Sequence, residues 1–443
     1  MHTLEQLRRG ELTGIQRLQL RGGLTEFPHE IFELADSLEI LDLSGNQLST
    51  LPDDLPRLHK LRVIFCSDNR FTELPEVLGQ CAQLSMVGFK ANRIAHVPAQ
   101  ALPPLLRWLI LTDNALTELA PEIGQCTAMQ KLMLAGNQLR SLPPELAQCT
   151  RLELLRISAN QLTEFPRWLL HMPRLTWLAF AGNPFTQTQE AHVLTDAPTP
   201  HMLWSRLQLQ QLLGEGASGL IHQATLRTEE GEHTVAVKLF KGAVTSDGLP
   251  ACEMAACLHA GTHPHLISAL GRVTEHPEQI QALVMPLIAP EFVNLAGPPS
   301  LESCTRDVYA NTHRLSWPAV LRIAQGMASA TAHLHARGVL HGDLYAHNIL
   351  HNTEGDALLG DFGAASFFDV RDAAHAQALQ HIEVRALGYL LQELALHCSA
   401  ANEDQPKLQA LTQLSNACMH ETPSLRPSLA MLCEKLKNFP PQA

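Results

Sequence analysis

The sequence predicts a multidomain chain: a solenoid of short strand-and-return repeats, then a linker, then a non-repetitive domain of strands and helices. Three observations predict it. The chain has 443 residues, about three times the ~150-residue domain prior. Residues 15–185 repeat themselves with a fixed period. Beyond residue 206 the period is gone, and glycine-rich, strand-like and helix-like segments follow one another.

The repeats come first. "LEILDLSGNQLSTLP" (38–52) returns as "LRVIFCSDNRFTELP" (61–75), "MQKLMLAGNQLRSLP" (129–143) and "LELLRISANQLTEFP" (152–166). Asparagines fall at Asn46, Asn69, Asn92, Asn114, Asn137, Asn160 and Asn183, with gaps of 23 residues and one of 22. Gly23 holds the same slot one period earlier, giving eight repeats. The pattern LxxLxLxxNxLxxLP resembles the leucine-rich repeat family, which implies an α/β solenoid over residues 1–190. One short strand cannot bury its leucines alone, so neighbours must stack. Each asparagine is expected to satisfy backbone groups at the turn that ends its strand.

Cys81, Cys126 and Cys149 share another slot of the repeat and read as packing. The alternate strand positions face outward: Val63 and Phe65, Met86, Trp108 and Ile110, Lys131 and Met133, Leu154 and Arg156, then Trp177. An apolar stripe of this kind marks a contact. Phe65, Met86, Trp108, Ile110, Met133 and Trp177 are therefore expected to meet a protein partner, or the second domain folded back over this face.

"TDAPTPHM" (195–202) carries two prolines among small polar residues, so residues 191–205 are expected to be a linker. In the second domain, residues 206–443, "LLGEGASGLIHQA" places Gly214, Gly216 and Gly219 between strand-like runs. Such glycines let backbone N–H groups approach phosphates, and they also make ordinary turns. Nineteen residues after Gly219, "TVAVKLF" sets Lys238 on a strand. Glu253 opens an amphipathic helix with Ala256, Cys257 and Ala260. "HGDLYAHNIL" follows, and "GDFGAAS" comes eighteen residues after Asp343.

These elements, in this order, resemble the eukaryotic-type protein kinase fold, a bilobal α+β domain with a short activation segment. The resemblance implies ATP and Mg²⁺ as cofactors. In it Asp343 would accept the hydroxyl proton, and Asn348 and Asp361 would hold the metal. Lys238 would anchor phosphates with Glu253 orienting it. Gly214, Gly216, Gly219 and Ile221 would cover the nucleotide. Met285 would stand at the back of the adenine site, and Ile288 would offer its backbone N–H. "EVRALGYLLQEL" (383–394) resembles the central helix of the larger lobe and Arg426 a late arginine motif.

Three departures matter. Gly342 stands where many protein kinases have arginine, and Tyr345 where serine/threonine kinases favour lysine. Only 22 positions separate Asp361 from Glu383, no A-P-E motif lies between them, and Ser366 is the one hydroxyl residue between Gly363 and Glu383. Aminoglycoside and choline phosphotransferases share the "HGDL…N" pattern and lack a protein-docking loop, so they are the rival reading. A non-catalytic scaffold is a third. His333, His335, His341, His347 and His351 read as core and surface residues, since no carboxylate or cysteine joins them at metal-ligand spacing.

Bulk properties narrow the classes. Net charge is −12, with 17 Lys/Arg against 20 Asp/Glu in residues 1–190 and 15 against 24 afterwards. No basic cluster answers a run of phosphates, so nucleic acid is not an expected partner. The N-terminal stretch lacks the apolar core of a secretory signal, and no apolar run approaches the ~20 residues of a membrane span. Ten cysteines without a CxxC pair fit a reducing cytoplasm. Glutamine, histidine and alanine usage with compact loops points to a bacterial source.

Overall fold

The computed structural model describes residues 2–196, 200–216, 218–242, 244–399 and 404–439. The chain divides into two compact units, Met1–Met172 and Pro173–Ala443.

In the first unit a short helix α1 (Leu4–Arg8) precedes seven three-residue strands. They are β1 (Arg17–Gln19), β2 (Ile40–Asp42), β3 (Val63–Phe65), β4 (Met86–Gly88), β5 (Trp108–Ile110), β6 (Lys131–Met133) and β7 (Leu154–Arg156). Each pairs in parallel with the next, so Val63, Met86, Trp108, Lys131 and Leu154 stand side by side. The middle residue of each strand, such as Leu109, Leu132 and Leu155, points inward and is fully buried. Short 3-10 turns make most of the return paths.

The asparagines act as the sequence predicts. Asn137 accepts at Oδ1 from the Leu116 N–H (3.0 Å) and donates from Nδ2 to Leu111 O and Leu134 O, both at 2.9 Å. One side chain thereby joins adjacent turns of the solenoid. Asn137→Ala leaves three backbone groups without that partner, at roughly 1 kcal/mol or more each. We expect it to lower the thermal transition of the repeats by several degrees in calorimetry without changing nucleotide affinity. Cys81, Cys126 and Cys149 are buried, and burial pushes their thiols up to about 11, 11 and 12, so they stay protonated and pack.

The outward stripe differs from expectation. Phe65, Trp108, Ile110 and Met133 are half-buried, with the Lys131 ammonium 4.5 Å from the Trp108 ring centroid and the indole N–H donating to Met133 Sδ (3.4 Å). Met86, however, is buried at 3% exposure in the ladder between Val63 and Trp108, and cannot reach a partner as it stands. Trp177 is buried too, and lies in the second unit.

The second unit begins with the strand of the eighth repeat, β8 (Trp177–Ala179), and helix α2 (Gln187–Asp196). The compact units therefore part earlier than residue 190. The stretch expected as linker carries structure: part of α2 falls in it, and β9 (His201–Leu203) pairs in parallel with a strand of the following sheet. Pro198 lies outside the described residues.

The smaller lobe is one sheet of β9, β10 (Leu207–Glu215), β11 (Gly219–Thr228), β12 (Gly231–Phe240), β13 (Gly271–Thr274) and β14 (Ala282–Pro286), in the order β10-β11-β12-β14-β13-β9. Alternate residues of its strands, Ala224, Leu226, Val235, Val237, Ala282 and Val284, form its core. Helix α3 (Pro250–Ala260) starts on proline and stops at Gly261, whose φ is +65°.

The larger lobe is helical, built of α4 (Trp317–Ala336), α5 (Ala373–Leu396), α6 (Gln405–Cys418) and α7 (Leu429–Lys437). Short strands β15 (Val293–Asn294), β16 (Val339–Leu340), β17 (Ile349–His351), β18 (Ala357–Leu359) and β19 (Ser366–Phe367) carry its loops. Ser316 caps α4 and Asp372 caps α5. The helix expected from Glu383 thus begins ten residues earlier, at Ala373, because Asp372 supplies the cap. Among the described residues, no helix is long and apolar enough to cross a membrane.

Candidate active site

The strand register builds the cleft. Antiparallel pairing of β11 with β12 sets Ile221 opposite Lys238, and β12 with β14 sets Lys238 opposite Leu283 and Ala236 opposite Met285. A cleft beneath the sheet is lined by Gly216, Gly219, Ile221, Lys238, Glu253, Met285 and Asp361, so seven of the expected residues converge. Phe362, the centre of "GDFGAAS", also lines it, and so does Ile267, which had no motif to announce it. Gly214, Ile288, Asp343 and Asn348 lie outside its lining, with Ile288 just past the end of β14.

Lys238 Nζ forms an ion pair with Glu253 Oε1, and both side chains are buried. Burial pushes the Glu253 carboxyl up to about 7, with Lys238 pulling against it. Burial also works against the Lys238 ammonium, but Glu253 and Asp361 outweigh it and hold it charged. A fixed cation facing a glycine-rich strand turn can receive a phosphate.

The loop after β16 supplies the second group of residues. Asn348 Nδ2 donates to Asp343 O and to Asp343 Oδ2, both at 2.9 Å. His341 lies between Asp343 and Gly360: the Asp343 N–H reaches its Nδ1 (3.3 Å), and its Nε2 bonds Gly360 O (3.0 Å). The Gly360 N–H donates to Asn348 O (3.0 Å), joining the residue before Asp361 to Asn348. Asp361 holds φ +55°, and its Oδ1 accepts from the Gly363 N–H (3.2 Å), an Asx-type turn that makes this backbone tolerable. With both amide hydrogens of Asn348 given to Asp343, the amide oxygen is left to act as a ligand. Joined by the Asp361 carboxylate it would offer oxygen donors alone, the kind that fits a hard divalent cation.

Glu383 is a residue that sequence reasoning passed over as a member of the site. It is 1% exposed. It accepts from the Gly342 N–H (2.8 Å), the His341 N–H (3.3 Å) and His335 Nε2 (2.6 Å). A glutamate inside the apolar run "HIEVRALG" was the available signal, since a buried carboxylate needs partners. The other histidines also have ordinary partners: His347 Nδ1 bonds Asp307 Oδ1 (2.7 Å), and His351 Nδ1 bonds Asn352 O (2.9 Å).

The departures from the expected motifs have structural causes. Gly342 sits at φ +75°, and a Cβ there would come within 2.7 Å of Leu178 O and closer still to Ala364 O. Only glycine fits. The segment between Gly363 and α5 is short, and Ser366 within it is fully buried on β19. Arg426, with no A-P-E glutamate to meet, instead donates to His420 O (2.9 Å), His381 O (2.8 Å) and Pro173 O (2.8 Å).

Residues 207–388 match the family described as protein tyrosine and serine/threonine kinase. Residues 104–162 and 127–185 match leucine rich repeat, and 37–58 match a second leucine rich repeat description. A CBL-interacting protein kinase of Oryza sativa subsp. japonica is 32% identical over 181 residues, covering 39% of this chain and 39% of that one. A probable LRR receptor-like serine/threonine-protein kinase of Arabidopsis thaliana is 28% identical over 179 residues, 38% of this chain and 27% of that one. A probable serine/threonine-protein kinase of Dictyostelium discoideum is 26% identical over 271 residues, 53% and 16%. The chain thus spans well under half the length of these curated relatives. The chain carries leucine-rich repeats followed by a protein kinase domain. These relatives come from plants and a slime mould and lend no support to a bacterial source.

Proposed function

We propose that this chain is an ATP- and Mg²⁺-dependent protein kinase that phosphorylates a protein hydroxyl, serine or threonine by default. The observation that carries the reading is the buried Lys238–Glu253 pair in a cleft that also holds Gly216, Gly219, Met285 and Asp361. In this reading Lys238 holds the α/β-phosphates, and Gly216 and Gly219 let backbone N–H groups close over them. Asp343, oriented by Asn348, accepts the proton of the incoming hydroxyl. Asn348 and Asp361 would hold Mg²⁺, which when bound neutralises phosphate charge. Incubation of the intact chain with labelled ATP and Mg²⁺, followed by phosphosite mapping, tests this. We expect label on serine or threonine of the chain or of an added protein. Label only on aminoglycosides or choline would establish the rival phosphotransferase reading instead.

The repeats, in this proposal, capture a protein through their half-buried outward residues Phe65, Trp108, Ile110 and Met133, in the cytoplasm. Trp108→Asp should cost that capture at least tenfold, a typical loss for a buried aromatic anchor, and leave nucleotide affinity unchanged. Equal retention of wild type and variant by the chain's own phosphorylated protein target would refute the assignment.

A further inference from the structure

Gly342, Tyr345 and Ser366 are the three positions where the site departs most from its motifs, and all three meet the strand of the last repeat. Trp177, at the start of β8, is 2% exposed. Its indole N–H donates to Leu344 O (3.0 Å), and its ring stacks on Tyr345 with centroids 4.0 Å apart and planes 10° from parallel. The Tyr389 ring of α5 lies nearly parallel to it at 5.6 Å. One residue past β8, the Phe180 N–H donates to Ser366 Oγ (2.8 Å), while Leu178 O closes over Gly342. After β8 the Gly182 N–H donates to Glu190 Oε1 (2.8 Å), tying the turn to α2, and α2 packs on α3, the helix that carries Glu253.

We infer that Trp177 is a positioning residue for the proposed proton acceptor Asp343, and that β8 is a built-in brace replacing a phosphorylated activation segment. The inference rests on the kinase reading. The loop from His341 to Tyr345 is held from two sides. Glu383 takes the His341 and Gly342 N–H groups, and Trp177 takes the next carbonyl after Asp343 and the following ring. Fixing the backbone on both sides of Asp343 sets where its carboxylate points. Phosphorylation has no part to play in this arrangement. The hydroxyl of the segment is already committed to β8, and the place of the arginine that would meet a phosphate is filled by backbone.

The experiment uses the full chain, treated with phosphatase, as wild type, Trp177→Ala and Trp177→Phe. Leu391→Ala, a buried α5 leucine outside the loop, serves as a matched core loss. Mg-ATP affinity, phosphotransfer kcat and amide hydrogen exchange over residues 341–349 are measured below each variant's melting temperature. We expect full wild-type transfer without phosphate on the chain. Trp177→Ala should lose roughly 10- to 100-fold in kcat, the size of effect set by an ångström of misplacement. Its Mg-ATP Kd should stay within twofold, with faster exchange at 341–349. Trp177→Phe, which keeps a ring and loses the donor, should fall between, and it carries the test if the alanine variant does not fold. The brace is refuted if Trp177→Phe or Trp177→Ala matches wild type, or changes no more than Leu391→Ala. It is equally refuted if phosphatase treatment inactivates the wild type. If the wild type transfers no phosphate at all, the kinase reading fails by itself. Loop exchange then decides the brace: faster exchange in the Trp177 variants supports it, and unchanged exchange ends it.

Discussion

Asp343→Asn should reduce phosphotransfer by at least ~10³-fold, within the range that a positioned general base contributes, and should leave the fold intact. Asparagine keeps an acceptor oxygen for the Asn348 Nδ2 bond now made at 2.9 Å, so the loop has little reason to move. What is lost is the capacity to take a proton. Lys238→Met should produce a loss of similar size through the phosphates. It also folds, because the Glu253 carboxyl, already pushed up to about 7 by burial, can protonate once its partner is gone. The same value gives a pH profile. Below about 7 Glu253 becomes neutral and its grip on Lys238 weakens, so transfer should fall between pH 8 and pH 6. In Glu253→Gln the rate should be lower and flatter over that interval. Steady-state kinetics of the three variants, beside Mg-ATP titrations, check each point.

Glu383→Ala should be the most damaging single change to the larger lobe, costing at least about 3 kcal/mol, since three buried donors lose their acceptor at ~1–3 kcal/mol each. It strands the His341 and Gly342 N–H groups and His335 Nε2 together. Glu383→Gln should be milder but not silent, since an amide nitrogen meets donors where a carboxylate oxygen stood. Burial alone would push the Glu383 carboxyl up. The His335 bond and the Gly342 N–H more than offset it, so the folded group lies below its ordinary 4.5. A depressed carboxyl stabilises fully above the unfolded value and loses that contribution as pH falls through the folded one. Wild-type chain should therefore lose melting temperature on acidification below about pH 4.5, and Glu383→Gln should lose less over the same range. Thermal melts from pH 7 to pH 3 test this.

Much of the architecture was legible because its signals are local. The 23-residue period, the asparagine at each turn and the inward leucines are repeated statements about one short strand, and the structure obeys them from β1 onward. Lys238, Glu253, Asp343, Asn348 and Asp361 were legible as short motifs in a fixed order. What escaped is set by distant partners. Outward alternation along β4 and β8 cannot say that Met86 and Trp177 will be covered. Nothing near Arg426 tells that its guanidinium will find three carbonyls in place of a carboxylate. Glu383 sits in an apolar helical run where periodicity sees only a core helix, and its role appears only when the loop 42 and 41 residues earlier lies against it. Asp372, as a cap, moved the start of α5 ahead of the motif that suggested the helix.

The crowding at Gly342 has an evolutionary consequence. Glycine and arginine are one nucleotide apart in several codons, so an ancestor or descendant controlled by a modification enzyme looks a single substitution away. It is not, because the Leu178 and Ala364 carbonyls already fill the room a side chain would need. Regaining that style of control would require remodelling the neighbouring backbone before the codon could change.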